Sequence, residues 1–421
     1  MRLNSAAEIQ LLEWWILHND KSAVRAQIWT KPFILVILVQ FLMFTSMYIL
    51  LPTLPVYAKS IGGSETVAGL IVGLFTFAAV LVRPFSGNLL DSKGRKAVLI
   101  SGIIIFLVSA ASYTWAYLVW VLLALRMVHG LGWGATTTAA GTVASDVIPA
   151  VRRGEGMGYY GISSTIAMSV GPALGLGIIA HYSFQRLFLI SVLFAAAGLV
   201  IALFINYEGM NGKASDSSTQ KTGGTKPKGV IIEKSAIAPS LVLFFTALSY
   251  GGIVTFLKPY ADFRGIENIG PFFTVYALVL LFSRPVMGKM ADKYGAGLLL
   301  VPGTLAIAAA LLTLMQASSM TVFLLAAVLY GLGFGAVQPV LNALVISLAP
   351  PERRGAANAT FFSAMDLGIG LGAVILGAIS EWAGYSLMYG ISTLFALLAL
   401  AIYFVVLRPR LAVVKARGEI R

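Results

Sequence analysis

Twelve apolar runs, each close to the length that crosses a bilayer, occupy most of the chain. They fall at 33–52, 66–86, 97–116, 119–142, 155–180, 186–206, 237–257, 271–290, 297–316, 321–346, 355–379 and 385–407. A spanning helix needs about 20 mostly apolar residues, because inside the bilayer its backbone polar groups can only be satisfied within the segment. The composition fits this constraint. Of the 421 residues 58% are hydrophobic and 11% charged, whereas a water-soluble domain is nearer a quarter charged. The 43 glycines agree, since Gly is commoner in membrane helices than in soluble ones. The pattern predicts an all-α integral membrane protein with twelve transmembrane helices.

The polar stretches divide the chain. Residues 1–31 form an N-terminal tail, 32–206 a first six-helix bundle, 207–234 a linker, 235–407 a second six-helix bundle and 408–421 a C-terminal tail. The linker, NGKASDSSTQKTGGTKPKG at its centre, has the Gly/Ser/Thr/Lys composition of a flexible connector. Residues 1–31 lack an apolar core followed by a small-residue cleavage site, so no secretory leader is expected. Within them, 8–18 carries Trp14 and Trp15 and suits either an interfacial helix or a loose tail.

Charge placement sets the expected orientation. With both termini cytoplasmic, 25 of the 30 Lys and Arg fall in cytoplasmic tails, loops and helix ends, counting Arg83 and Arg284 as helix-end residues. Lys59, Arg186, Lys258 and Arg264 fall outside, and Arg126 lies within a span. This asymmetry predicts cytoplasmic termini in a cell inner membrane. It also accounts for the net charge of +13 without nucleic acid, because the basic residues are dispersed over loops rather than gathered on one face.

A repeat relates the two bundles. Arg83-Pro84, Gly87, Asp91, Gly94 and Gly102 recur as Arg284-Pro285, Gly288, Asp292, Gly295 and Gly303, each displaced by 201 residues. The same displacement carries Gly130-Leu131-Gly132-Trp133-Gly134 onto Gly331-Leu332-Gly333-Phe334-Gly335, and Arg152-Arg153-Gly154 onto Arg353-Arg354-Gly355. One displacement without gaps over about a hundred residues marks a duplicated six-helix unit. Parallel repeats of this kind put a binding site at their interface, and rocking of one against the other gives alternating access.

Specific motifs carry a resemblance. Gly87-Asn88-Leu89-Leu90-Asp91-Ser92-Lys93-Gly94-Arg95-Lys96 resembles the signature loop G-x-L-a-D-r-x-G-r-k of the major facilitator superfamily. Leu122, Arg126, Gly130 and Gly132 are similar to the L-x-x-x-R-x-x-q-G-x-g motif of proton-coupled members, with His129 in place of Gln. Gly171-Pro172-Ala173-Leu174-Gly175 resembles the antiporter motif G-P-x-x-G-G, with Leu176 replacing its last Gly. The chain is most similar to the twelve-helix drug:proton antiporter group. Its stretch from Leu51 to Tyr57 resembles bacterial members that include exporters of opine-type metallophores. The resemblance implies two six-helix pseudo-symmetric bundles (the major facilitator fold). It also implies a monomer, and a central cavity lined by spans one, four, seven and ten. In such a protein Gly87, Asp91, Gly94 and Arg95, with Asp146 and the second-copy Asp292, would form a conformational latch at helix ends.

Candidate residues follow from what is costly to place in a membrane. Asp366 is the one acid near the middle of a span, about 16 Å from Gly355 at the helical rise. Intramembrane acids usually carry function, so Asp366 is the first proton-coupling candidate, with Asn358, Phe362 and Gly370 on its stripe. His129, the only other titratable candidate for a coupling role in a span, is the second. Arg126, Gln40, Tyr48, Trp133, Gln338 and Asn342 are the candidate substrate-binding residues. Gly171, Pro172 and Gly175 are a candidate hinge or a close packing surface. Span one has no acid, and Arg126 and His129 favour an anionic or zwitterionic substrate over a cation.

These features predict a secondary active transporter that exports a drug or an amphiphilic or anionic metabolite in exchange for protons. A metallophore exporter, a proton-coupled symporter and facilitated uptake are the alternatives, and a non-transporting sensor fits least. The chain lacks a phosphate-binding G-x-x-x-x-G-K-[ST] loop and an H-E-x-x-H helix, so it is not expected to be an enzyme. Without Cys and with only His18, His129 and His181, no metal site or cofactor is expected.

Overall fold

A computed structural model describes residues 27–149, 152–206, 233–294, 296–350 and 353–416. The candidate interfacial stretch 8–18 and nearly all of the linker lie outside them. Among the described residues there are helices and no strands. Ten helical segments are long and apolar enough to cross a membrane.

The first half contains α1 (Lys31–Leu50), α2 (Thr53–Ser60), α3 (Glu65–Lys93), α4 (Arg95–Ser112), α5 (Val119–Val147), α6 (Arg153–His181) and α7 (Phe184–Leu203). The second contains α8 (Ile237–Phe263), α9 (Gly270–Tyr294), α10 (Gly297–Met315), α11 (Met320–Leu348), α12 (Arg354–Ile402) and α13 (Arg408–Ala416). Local chemistry sets several boundaries. Thr30 and Ser64 cap α1 and α3, their hydroxyls accepting from Phe33 N–H and Val67 N–H at 3.4 Å. Gly94 has φ 87°, a conformation that disfavours any Cβ, and it ends α3 and starts α4 in one residue. Gly384, at φ 77°, breaks α12 into two arms.

Two expected boundaries are corrected. From sequence, Arg83 and Arg284 are helix-end residues on the cytoplasmic side. In the structure α3 and α9 continue ten residues beyond each of them, to Lys93 and Tyr294, about 15 Å of helix. The polar residues that ended the apolar runs, including those after Pro84, remain helical. Both arginines are therefore well inside their helices.

Within the first half α1 packs on α6 and α7, α3 on α5, and α4 on α5 and α7. Within the second, α8 packs on α12, α9 on α11, and α10 on α11 and α12. Two seams join the halves: α3 against α12, and α6 against α9. The displacement of 201 residues carries α3 onto α9 and α6 onto the first arm of α12, so these are two copies of one seam. The α3–α12 seam is tight. A Cβ at Gly370 would lie 1.8 Å from Thr76 Oγ1, and one at Gly69 2.3 Å from the Ala373 carbonyl oxygen. Small residues let the backbones approach this closely.

Candidate functional site

Arg83 reaches from α3 across the seam to α12. Its guanidinium forms an ion pair with Asp366 and donates a 2.8 Å hydrogen bond to Ser363 Oγ. Both charged side chains are largely buried, at 15% and 13% exposure. Few arrangements other than such a pair, with added hydrogen bonds, offset the desolvation of two charges in a membrane.

The second copy of the seam repeats the gesture with a different partner. Arg284, the repeat equivalent of Arg83, crosses from α9 to α6 and donates to Thr165 Oγ1. Thr165 is the repeat equivalent of Asp366. Another guanidinium nitrogen of Arg284 donates to Gln338 Oε1 on α11 at 2.8 Å. One arginine thus meets a carboxylate and the other meets two neutral oxygens.

Tyr48 on α1 is near both sites. It is buried and within electrostatic range of both Asp366 and Arg284. Tyr276 and Tyr250 also lie within range of Arg284, and Tyr250 stacks on Phe334 with ring centroids 5.2 Å apart. One acid, two arginines and several tyrosines, contributed by both halves, therefore form a buried polar core.

The remaining candidates are placed as follows. Gln40 accepts a 2.7 Å hydrogen bond from Tyr160, joining α1 to α6. Asn342 donates to Asn358 at 3.4 Å, joining α11 to α12. Trp133 packs with Phe44, its ring 4.5 Å away, and with Phe75 and Phe106. Arg126 and His129 sit inside the first half, both buried. Arg126 donates to the Ile71 carbonyl at 2.7 Å and lies 4.1 Å from the Phe75 ring centre. His129 Nδ1 is 2.7 Å from Tyr113 Oη and 3.4 Å from Arg126 Nη1. An arginine only donates, so Nδ1 accepts and Nε2 carries the hydrogen. Protonation there would put a second positive charge beside Arg126. The contacts of both residues are all with the first half, and the structure does not bring them to Asp366.

At the signature loop, Arg95 Nε lies 3.2 Å from Asp146 Oδ2 and ties the start of α4 to the end of α5. Gly87 has no neighbour that a Cβ would meet. The side chains of Asp91 and Asp292 lie outside the described residues. Gly171 and Gly175 are packing positions: a Cβ would come within 2.5 Å of Tyr48 Cβ and 2.3 Å of the Ile49 carbonyl oxygen. Helix α6 runs through Pro172 without interruption.

The opposite end of the α3–α12 seam carries a cluster for which sequence gives no expectation. Glu65 receives Lys59 Nζ and Tyr385 Oη, Lys59 Nζ donates to Tyr385 Oη at 2.8 Å, and Thr66 N–H donates to Glu381 at 3.0 Å. Among the described residues, polar contacts between α3 and α12 run from this cluster as far as Arg83.

The profile of the Major Facilitator Superfamily matches residues 36–273 and 240–420. The staphylopine export protein of Staphylococcus aureus is 24% identical over 371 residues, 85% of this chain and 91% of the relative. The multi-drug resistance efflux pump PmrA of Streptococcus pneumoniae is 28% identical over 362 residues, 83% of this chain and 89% of the relative. Among solved structures, the human organic anion transporter MFSD10 superposes with a TM-score of 0.66 at 20% identity, over 88% of this chain and 98% of that one. A bacterial homolog of the human lysosomal transporter Spinster, inward-facing and unoccupied, gives 0.68 at 15% identity, over 89% and 95%. With the profile covering both halves, this chain belongs to the major facilitator superfamily.

Proposed function

We propose that the chain is a proton-coupled exporter of a small organic solute, working by alternating access, with Asp366 as the proton-coupling group and Arg83 as its counter-charge. Twelve crossings result when α1 and α2 make one and α12 makes two, split at Gly384. They form two six-helix bundles with both termini and the linker cytoplasmic. The solute and protons are the only partners required.

The observation that carries this reading is the Arg83–Asp366 pair across the seam. Rocking of two repeats opens them on one membrane face as they close on the other. A carboxylate held by an arginine of the opposite half resists that opening. A proton on Asp366 removes the charge and weakens the hold, so seam opening and proton uptake are linked. With cytoplasmic termini, the cluster of Lys59, Glu65 and Tyr385 seals the external face. Two relatives that cover most of the chain are named as exporters, which favours outward transport.

Two experiments test the reading. The native chain has no Cys, so Ser217→Cys in the linker reports orientation: an impermeant thiol reagent should label it only after permeabilisation. In inverted vesicles with an acid lumen, adding a transported solute should dissipate the pH gradient. Labelling in intact cells, or a gradient that is indifferent to every solute transported, contradicts the proposal.

A further inference from the structure

The repeat supplies two arginines to the polar core and one carboxylate. Arg83 has Asp366. Arg284 has Thr165 and Gln338, and among the described residues no carboxylate lies within ion-pair distance of it. Its Nε–H has no acceptor. Two phenols beside it, Tyr276 and Tyr250, are 1% and 0% exposed. Their hydroxyls face each other closely enough to interact, and neither has a hydrogen-bond partner elsewhere. A buried guanidinium N–H without an acceptor thus sits beside two buried phenols that have only each other. Leaving a buried donor unsatisfied costs stability, and more for a charged group, so such groups call for an explanation. In a chain with a duplicated seam, the missing element is the acid that the other copy has.

We infer that the solute is an anion, and that its carboxylate or equivalent acidic group completes the second seam by binding Arg284, Tyr276 and Tyr250. The neutral oxygens of Thr165 and Gln338 hold the guanidinium and yield to a charged acceptor, which makes the stronger hydrogen bonds. Planar guanidinium geometry suits a two-oxygen acid in particular. Tyr48, within range of both Arg284 and Asp366, lets the bound anion and the Asp366 carboxylate sense each other. This assignment rests on the transport reading above, because it uses the same central core.

Thermal stability of the purified full-length protein tests it. The probes are monocarboxylates from acetate to 2-naphthoate, each paired with its primary amide. At least one carboxylate should stabilise the protein with about tenfold or greater advantage in apparent affinity over its amide, the scale of hydrogen bonds to a charged group. Arg284→Gln should reduce the carboxylate to the level of the amide. Tyr276→Phe keeps the ring and removes the hydroxyl; it should weaken the carboxylate about threefold or more and leave the amide unchanged. Asp366→Asn should retain the discrimination. If no carboxylate outperforms its amide, or if Arg284→Gln and Tyr276→Phe both bind as wild type does, the anion site is wrong. Retained discrimination together with lost proton coupling in Asp366→Asn supports the anion site and locates coupling at Asp366. Intact coupling in that variant, with discrimination retained, overturns only the coupling assignment.

Discussion

Arg83 holds Asp366 across one seam, and the repeat places Arg284 on Thr165 across the other. The two seams share a geometry and differ in one acid. In the proposed mechanism that difference separates a pair that is neutralised on opening from an arginine that remains available to a ligand.

The strength of the first pair is measurable by a double-mutant cycle. Arg83→Gln leaves the Asp366 carboxylate without its cation inside the membrane, at a cost on the order of 3 kcal/mol. Arg83→Gln with Asp366→Asn removes both charges and should melt closer to wild type than Arg83→Gln alone. Interacting residues deviate from additivity by about 0.5–3 kcal/mol. Additive shifts in melting temperature would mean that the two side chains do not depend on each other.

Thr165→Asp restores the missing carboxylate to the second seam. The new acid should pair with Arg284, raise the melting temperature and abolish stabilisation by carboxylates. Transport should fall with it, because a permanent internal ligand competes with the solute. Wild-type carboxylate binding in Thr165→Asp would show that Arg284 is not the docking charge.

Helix α6 approaches α1 through its glycines. A Cβ at Gly175 would lie 2.3 Å from the Ile49 carbonyl oxygen, a backbone atom that cannot swing aside. Gly175→Ala should destabilise the protein by about 1–3 kcal/mol, as overpacking does. A melting temperature equal to wild type would mean that α1 and α6 separate at little cost, as expected of a hinge rather than a fixed contact.

Glu233, one residue before the candidate span Lys234–Phe263, anchors the start of the second half. Its carboxylate accepts from Ser235 N–H at 3.2 Å and from Ser235 Oγ at 3.1 Å, and lies 3.4 Å from Arg353. The backbone N–H of Ser235, then its hydroxyl and Arg353, hold the carboxyl below its ordinary range. A depressed folded-state value gives stability that is present above the ordinary carboxylate range and lost as pH falls through the depressed one. Glu233→Gln should therefore lower the melting temperature at neutral pH and have a smaller effect in acid. A deficit that stays constant down to acid pH would remove the charge from the explanation.

Much of the fold is legible in the sequence because the bilayer imposes length and composition on every span. The repeat is legible because Arg, Pro, Gly and Asp recur at a fixed displacement. Asp366 stands out because a lone acid in an apolar run is costly. Its partner does not, since Arg83 sits where the apolar run fades into a polar helix end and resembles a topology charge. The usable signal was the same displacement, which relates Arg83 to Arg284 and Thr165 to Asp366 but says nothing of which helices touch. Arg126 and His129 attract attention for the same reason as Asp366. Their partners, Ile71, Phe75 and Tyr113, come from neighbouring helices of one bundle, and only packing reveals that. Tyr250 and Tyr276 pass as ordinary membrane aromatics until their buried hydroxyls are found to have only each other, beside Arg284.

The central claim is that a proton on Asp366 drives transport. Asp366→Asn imitates the protonated carboxyl permanently, close to it in size and without charge. In proteoliposomes with an imposed pH gradient, the wild type should accumulate solute against its own gradient. The variant should still exchange solute and carry it downhill, yet gain nothing from the pH gradient. Undiminished pH-driven accumulation in Asp366→Asn would contradict the account.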